Sequence, residues 1–199
     1  MRPPRRPFLR QFAVATVAVG VAVALTLELA AQSVTLTPNQ HKALYLFNFA
    51  KYTEWPKEAF ASDDAPFVLG ILKDPTDKDP FGKDIEIING KTVKGRKLEI
   101  RRFLTVEDVQ KSDCQLLFIA SSETNKLAQI LKALEKSNVL TIAEVDGFLQ
   151  ASGMINLLTE KKSAGTQTVA FEVNLLAAQR ANLKLDAQLL KLARNVLRT

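Results

Sequence analysis

A single cysteine, Cys114, leaves this chain unable to close an internal disulfide, so its stability must come from a hydrophobic core. A single histidine, His41, has no nearby cysteine or second histidine. That argues against the usual zinc sets and against a histidine-based triad. A partly exposed side chain on a helix is the plainer reading of His41. The chain has no G-x-S-x-G, no P-loop and no G-x-G-x-x-G. Neither a catalytic residue, a metal site nor a cofactor is expected, and the protein reads as a non-enzyme. No basic run is interleaved with aromatics, so nucleic acid is not an expected partner.

Long apolar runs are also scarce. The uncharged stretch Phe12 to Leu27 has sixteen residues, short of the roughly 20 that span hydrocarbon comfortably. Four arginines (Arg2, Arg5, Arg6, Arg10) and no acid precede it, and Ala30 and Ala31 follow. This order reads as a cleaved secretory signal peptide over residues 1–31, with a periplasmic domain over 32–199. Leu29 at the −3 position departs from the usual small residue. "RRPFLR" resembles a twin-arginine export signal, although Pro4 stands where that signal prefers a small polar residue; general secretion is the alternative. Removal of residues 1–31 takes away four of 27 bases and one of 21 acids, and the net charge falls from +6 to +3. The 168 residues that remain suit one domain.

Within that domain, "LYLFNFAKYTEWP" (Leu44 to Pro56) gathers Tyr45, Phe47, Phe49, Tyr52 and the only tryptophan, Trp55. Thr37, Pro38 and Gln40 are helix-start signals, and Pro56 predicts the helix end at Trp55. The helix is apolar nearly all round, which predicts burial on more than one side. Three short apolar runs, "FVLGIL", "CQLLFIA" and "VLTIAE", read as buried strands. Cys114 opens the second, which predicts a buried, inert thiol; an intermolecular bridge is the sharper reading. "SSETNKLAQILKALEKSN" has helical spacing, and "GMINLLTE" with "GTQTVAFEV" reads as a hairpin. "NLLAAQRANLKL", capped by Asn174, and "DAQLLKLARNVLR", capped by Asp186, read as two closing helices. The expected fold is α/β. A largely parallel sheet is flanked by helices on both faces, with an added C-terminal antiparallel hairpin and two C-terminal helices.

Asp74, Asp77, Asp79, Gly82 and Glu86 form the most tempting cluster for chemistry. Read as a calcium loop from Asp77, it places Phe81 at position 5 and Ile88 at position 12, where oxygen ligands are required. The plainer reading is a solvated loop after a strand, at the sheet end where ligands of open parallel sheets gather.

Four segments in order resemble the YfiR/HmsC-like family of periplasmic proteins. They are "YLFNFAKYTEWP", "FVLGILKDPTDKDPFG", "CQLLFIASS…VLTIAEVDGFLQASGMINLL" and "VAFEVNLLAAQRANLKLDAQLLKLA". The resemblance implies a repressor that binds the periplasmic sensing domain of an inner-membrane diguanylate cyclase and holds it off. It also implies a homodimer, and a response to redox state or to a small-molecule ligand. Family members often pair a cysteine at the Cys114 position with one in the first buried strand, where "FVLGIL" has none. The family's Gly-Phe…Gly-Gly becomes Gly147, Phe148 and Ser152-Gly153. Trp55, Gly147, Phe148 and Asn174 are therefore the candidates for contact with partner or ligand, with Phe148 presented outward and the helix exit at Trp55 and the Gly147-Phe148 segment on one functional face. Two other readings remain at this point: a periplasmic small-ligand sensor or carrier for another membrane system, and a hydrolase using the acidic loop.

Overall fold

The computed structural model describes residues 36–161 and 167–198. The signal peptide expected over residues 1–31 lies outside them. Helix α1 (Pro38–Lys51) leads through β1 (Thr53–Glu54) and a 3₁₀ turn at Lys57–Ala59 to β2 (Phe67–Leu72). A second 3₁₀ turn (Asp84–Ile87), β3 (Thr92–Val93), β4 (Arg96–Phe103) and α2 (Val106–Gln110) precede β5 (Cys114–Ile119). A 3₁₀ segment, Ser121–Lys126, runs into α3 (Leu127–Leu134), followed by β6 (Leu140–Ala143) and β7 (Ile155–Lys161). The chain closes with β8 (Gln167–Asn174), α4 (Leu175–Arg180), β9 (Lys184–Leu185), α5 (Ala187–Leu192) and β10 (Asn195–Leu197).

Eight strands form one sheet in the order β10-β8-β7-β6-β5-β2-β4-β3. From β4 through β2, β5 and β6 to β7 every pairing is parallel. β7 and β8 pair antiparallel, and β10 lies parallel to β8. The three apolar runs are thus neighbours, β2-β5-β6, at the centre of a mostly parallel α/β sheet. All residues of these three strands are buried, as strands covered on both faces require.

Alternation along β2 sorts the core into two layers. Phe67, Leu69 and Ile71 join a cluster with Leu46 and Phe49 of α1 and Ala178 of α4. Val68 and Leu72 join a second cluster with Val109 of α2 and with Ile130 and Leu134 of α3. Successive side chains of a strand point to opposite faces, so the two clusters lie on opposite sides of the sheet.

Helix α1 starts as its sequence dictates. The Thr37 hydroxyl accepts from the Gln40 N–H (3.1 Å), and the Thr37 N–H donates to Gln40 Oε1 (2.9 Å), a reciprocal cap with Pro38 just inside. Its end is earlier than Pro56 predicts. The helix stops at Lys51, because Thr53 and Glu54 pair with Leu185 and Lys184 in a separate two-stranded ribbon.

The final segment departs further from expectation. "DAQLLKLARNVLR" is not one helix: α5 ends at Leu192, and Asn195–Leu197 pair with Glu172–Asn174 of β8. The Arg194 N–H donates to the Phe171 carbonyl (2.8 Å) and starts this ladder. An open strand edge beside β8 outweighs weak local helix preference there.

Candidate functional site

Trp55 sits just after β1, half-buried, on the α1 side of the sheet. Its ring meets Phe67 edge-on at 5.0 Å, and its Nε1–H donates to the Gln115 carbonyl (3.1 Å). That carbonyl is free because β5 bulges. Val68 pairs with Cys114 and Leu69 with Leu116, so Gln115 is the extra residue. The buried Gln115 amide closes the gap. Its Oε1 accepts from the Val68 N–H (2.7 Å), and its Nε2 donates to the Ala59 carbonyl (2.6 Å). A bulge in a buried parallel pair would otherwise orphan backbone groups. Gln115 was not singled out in the sequence, although a lone amide inside "CQLLFIA" is the signal for it.

Beside Trp55 opens a cleft of about 280 Å³, walled by Phe60, Phe67 and Val93 and edged by Glu54, Lys94 and Arg96. The Arg96 guanidinium lies 4.0 Å from the Phe60 ring centroid and donates to the Ser62 and Ala65 carbonyls (2.9 and 2.6 Å). The cleft therefore has one fixed cation and an aromatic wall.

Gly147, Phe148 and Asn174 come together elsewhere. The Phe148 N–H donates to the Val145 carbonyl (3.2 Å), with Gly147 at φ +76° in the turn. The chain then doubles back, and the Gly153 N–H donates to the Phe148 carbonyl (2.9 Å). Asn174 fastens this turn from β8. Its Nδ2 donates to the Leu149 carbonyl (3.0 Å), and its Oδ1 caps α4 by accepting from the Ala177 N–H (2.9 Å).

Phe148 is not presented outward. It is 0% exposed and belongs to the cluster on the α3 side. Gly153 makes this possible: a Cβ there would lie 2.4 Å from the Phe148 ring. Ser152 holds φ +75°, a left-handed conformation that explains a glycine preference at that position. Trp55 and Phe148 therefore pack into opposite layers, and the single functional face expected from the sequence is two separate places.

Two aspartates of the acidic loop, Asp74 and Asp79, are engaged by their surroundings. Asp74 Oδ1 accepts from the Thr76 N–H and hydroxyl (2.9 and 2.6 Å). Asp79 Oδ1 accepts from the Phe81 and Gly82 N–H groups, and Oδ2 from Arg102 Nε (2.6 Å). Burial pushes the Asp79 pKa up, but the Arg102 guanidinium and those two N–H groups outweigh it and hold the carboxyl below its ordinary value. At Asp74 the Thr76 hydroxyl and N–H lower the pKa.

Cys114 is buried and free. Desolvation pushes its thiol from 9.0 to about 12. Across from it β2 carries Gly70, where a Cβ would lie 2.9 Å from Cys114 Sγ.

The sheet and its two packed layers define a mixed α/β protein whose strands are mostly parallel. The YfiR/HmsC-like family profile matches residues 39–194, and the chain belongs to that family of periplasmic regulators. A comparison with curated proteins found no match. Among solved structures, a conserved domain protein from Vibrio cholerae aligns with a TM-score of 0.50 at 10% identity, over 80% of this chain and 60% of its own. The ABC domain in complex with L-Trp from Streptococcus pneumonia aligns with a TM-score of 0.47 at 12% identity, over 66% of this chain and 55% of its own. This chain thus spans 55–60% of the length of these two structures.

Proposed function

We propose that this protein is a periplasmic repressor. It binds the periplasmic sensing domain of an inner-membrane diguanylate cyclase and so lowers cyclic-di-GMP and biofilm output. Membership of the YfiR/HmsC-like family over residues 39–194 carries this reading. The protein acts by binding, as a homodimer, and performs no turnover of its own. The Trp55 cleft is the surface it offers, because an indole edge, the Phe60 ring and the Arg96 guanidinium are the residue types that anchor interfaces. Gly147, Phe148 and Asn174 support the turn instead of touching the partner. The test is turnover of GTP by a solubilised cyclase from the same cell, titrated with the purified protein. Falling output of cyclic-di-GMP, lost in Trp55→Ala and retained in Trp55→Phe, is the expected result. Unchanged turnover at saturating protein contradicts the reading.

The second reading, a small-ligand sensor or carrier for another membrane system, is favoured by the size of the same cleft, about 280 Å³. A ligand bound at Trp55 with no effect of the protein on any cyclase would favour it. No observation favours the hydrolase: the Asp74 and Asp79 carboxylates are engaged by their own loop and by Arg102, which leaves Asp77 without a second free aspartate in the loop.

A further inference from the structure

A second cavity, of about 240 Å³, lies between α3, the turn that ends at Gly153, and α4. Its buried wall is apolar, with Leu131, Leu134 and Met154. It stays open because small side chains, Ala128, Ala151 and Ala177, stand where larger ones would fill it. Its volume exceeds the roughly 150 Å³ that accepts benzene. It falls below the roughly 300–1,000 Å³ of drug-sized sites. One ring fits.

Charge at the rim selects among one-ring molecules. Lys132, Glu135 and Arg180 are exposed there, two cations against one carboxylate. Neither Lys132 nor Arg180 joins an ion pair among the described residues. The wall also holds Thr141, which is 2% exposed. Its Oγ1 accepts from the Met154 N–H (3.3 Å) and so ties this wall to the end of the turn.

We propose that this cavity is a binding site for a small apolar carboxylate of one ring. The ring lies among Leu131, Leu134 and Met154, and the carboxylate meets Arg180 and Lys132 at the rim. Ala151 and Ser152 belong to the turn that seats Phe148, so an occupant stabilises that turn. This site goes beyond the repressor reading, and its test needs no partner.

Phenylacetate is the probe, with phenethylamine as its cationic counterpart, on the purified full chain. Phenylacetate is expected to raise Tm in a saturable way, as any ligand of the native state alone does. Phenethylamine is expected to leave Tm unchanged. Arg180→Gln removes one charge-assisted partner and is expected to weaken phenylacetate about tenfold. Because Arg180 is exposed, that variant keeps the unliganded Tm. Ala151→Leu fills the cavity and is expected to abolish the shift; if it does not fold, Arg180→Gln decides. No shift with phenylacetate overturns the site. So does an equal shift with phenethylamine, or undiminished binding in Arg180→Gln.

Discussion

Cys114 and Phe148 each depend on a glycine elsewhere in the chain. Gly70 leaves room for the Cys114 sulfur, and Gly153 leaves room for the Phe148 ring. The thiol was legible from its place at the head of a buried run. Phe148 was not, because "VDGFLQ" reads as an exposed turn and nothing local shows that Gly153 lies beneath the ring. Phe148→Ala should therefore cost about 3–5 kcal/mol of stability, as removal of a buried aromatic does. Gly153→Ala should cost at least about 1–3 kcal/mol by overpacking. Chemical denaturation of both and of Gly153→Ala/Phe148→Ala checks this, since the double variant, with no ring left to clash, should lose less than the sum. Simple additivity would separate the two residues. For Cys114, the raised pKa means that the unfolded chain releases the thiol proton first. Its contribution is complete below pH 9.0 and is lost as pH rises toward about 12. The urea midpoint should fall more steeply above pH 9 in the native protein than in Cys114→Ala. A thiol reagent at pH 8 should label Cys114 only on unfolding. Rapid native labelling contradicts the burial.

At the scale of elements, the β5 bulge decides where Trp55 sits. The three Gln115 contacts join β2, the 3₁₀ turn at Lys57–Ala59 and the indole. Gln115→Leu orphans the Val68 N–H and the Ala59 carbonyl and should cost about 2–5 kcal/mol. Trp55 fluorescence should shift with it; an unmoved spectrum would show that the bulge does not hold the indole. The acidic loop is a second case. The Asp79 pKa is lowered in the folded state, so its contribution is present above the unfolded carboxylate range and fades as pH falls. Asp79→Asn should lessen the acid sensitivity of hydrogen exchange over residues 73–82, and an unaltered pH dependence would remove Asp79 from the account. Elements with strong local signals, α1 and the three buried strands, were legible from periodicity and caps. The segment Asn195–Leu197 was not: leucines before it carry a helical spacing, and only the free edge of β8 makes it a strand.

For the molecule as a whole, three adjacent parallel strands and an antiparallel hairpin followed from short apolar runs and turn signals. The strand order did not, because hydrophobic pattern carries no record of which strand neighbours which. The same limit misled the candidate site. Trp55 and Phe148 looked like one face in sequence, yet β2 alternation places their layers on opposite sides of the sheet. The cleft at Trp55 and the cavity beside α3 are accordingly separate, and separate variants address them. The proposed activity of this protein is restraint of a diguanylate cyclase. Intracellular cyclic-di-GMP, measured in cells lacking the protein and in the same cells supplied with it again, tests that activity most directly. The level should rise on loss and be restored by the native chain but not by Trp55→Ala. An unchanged level in cells that express the cyclase would contradict it.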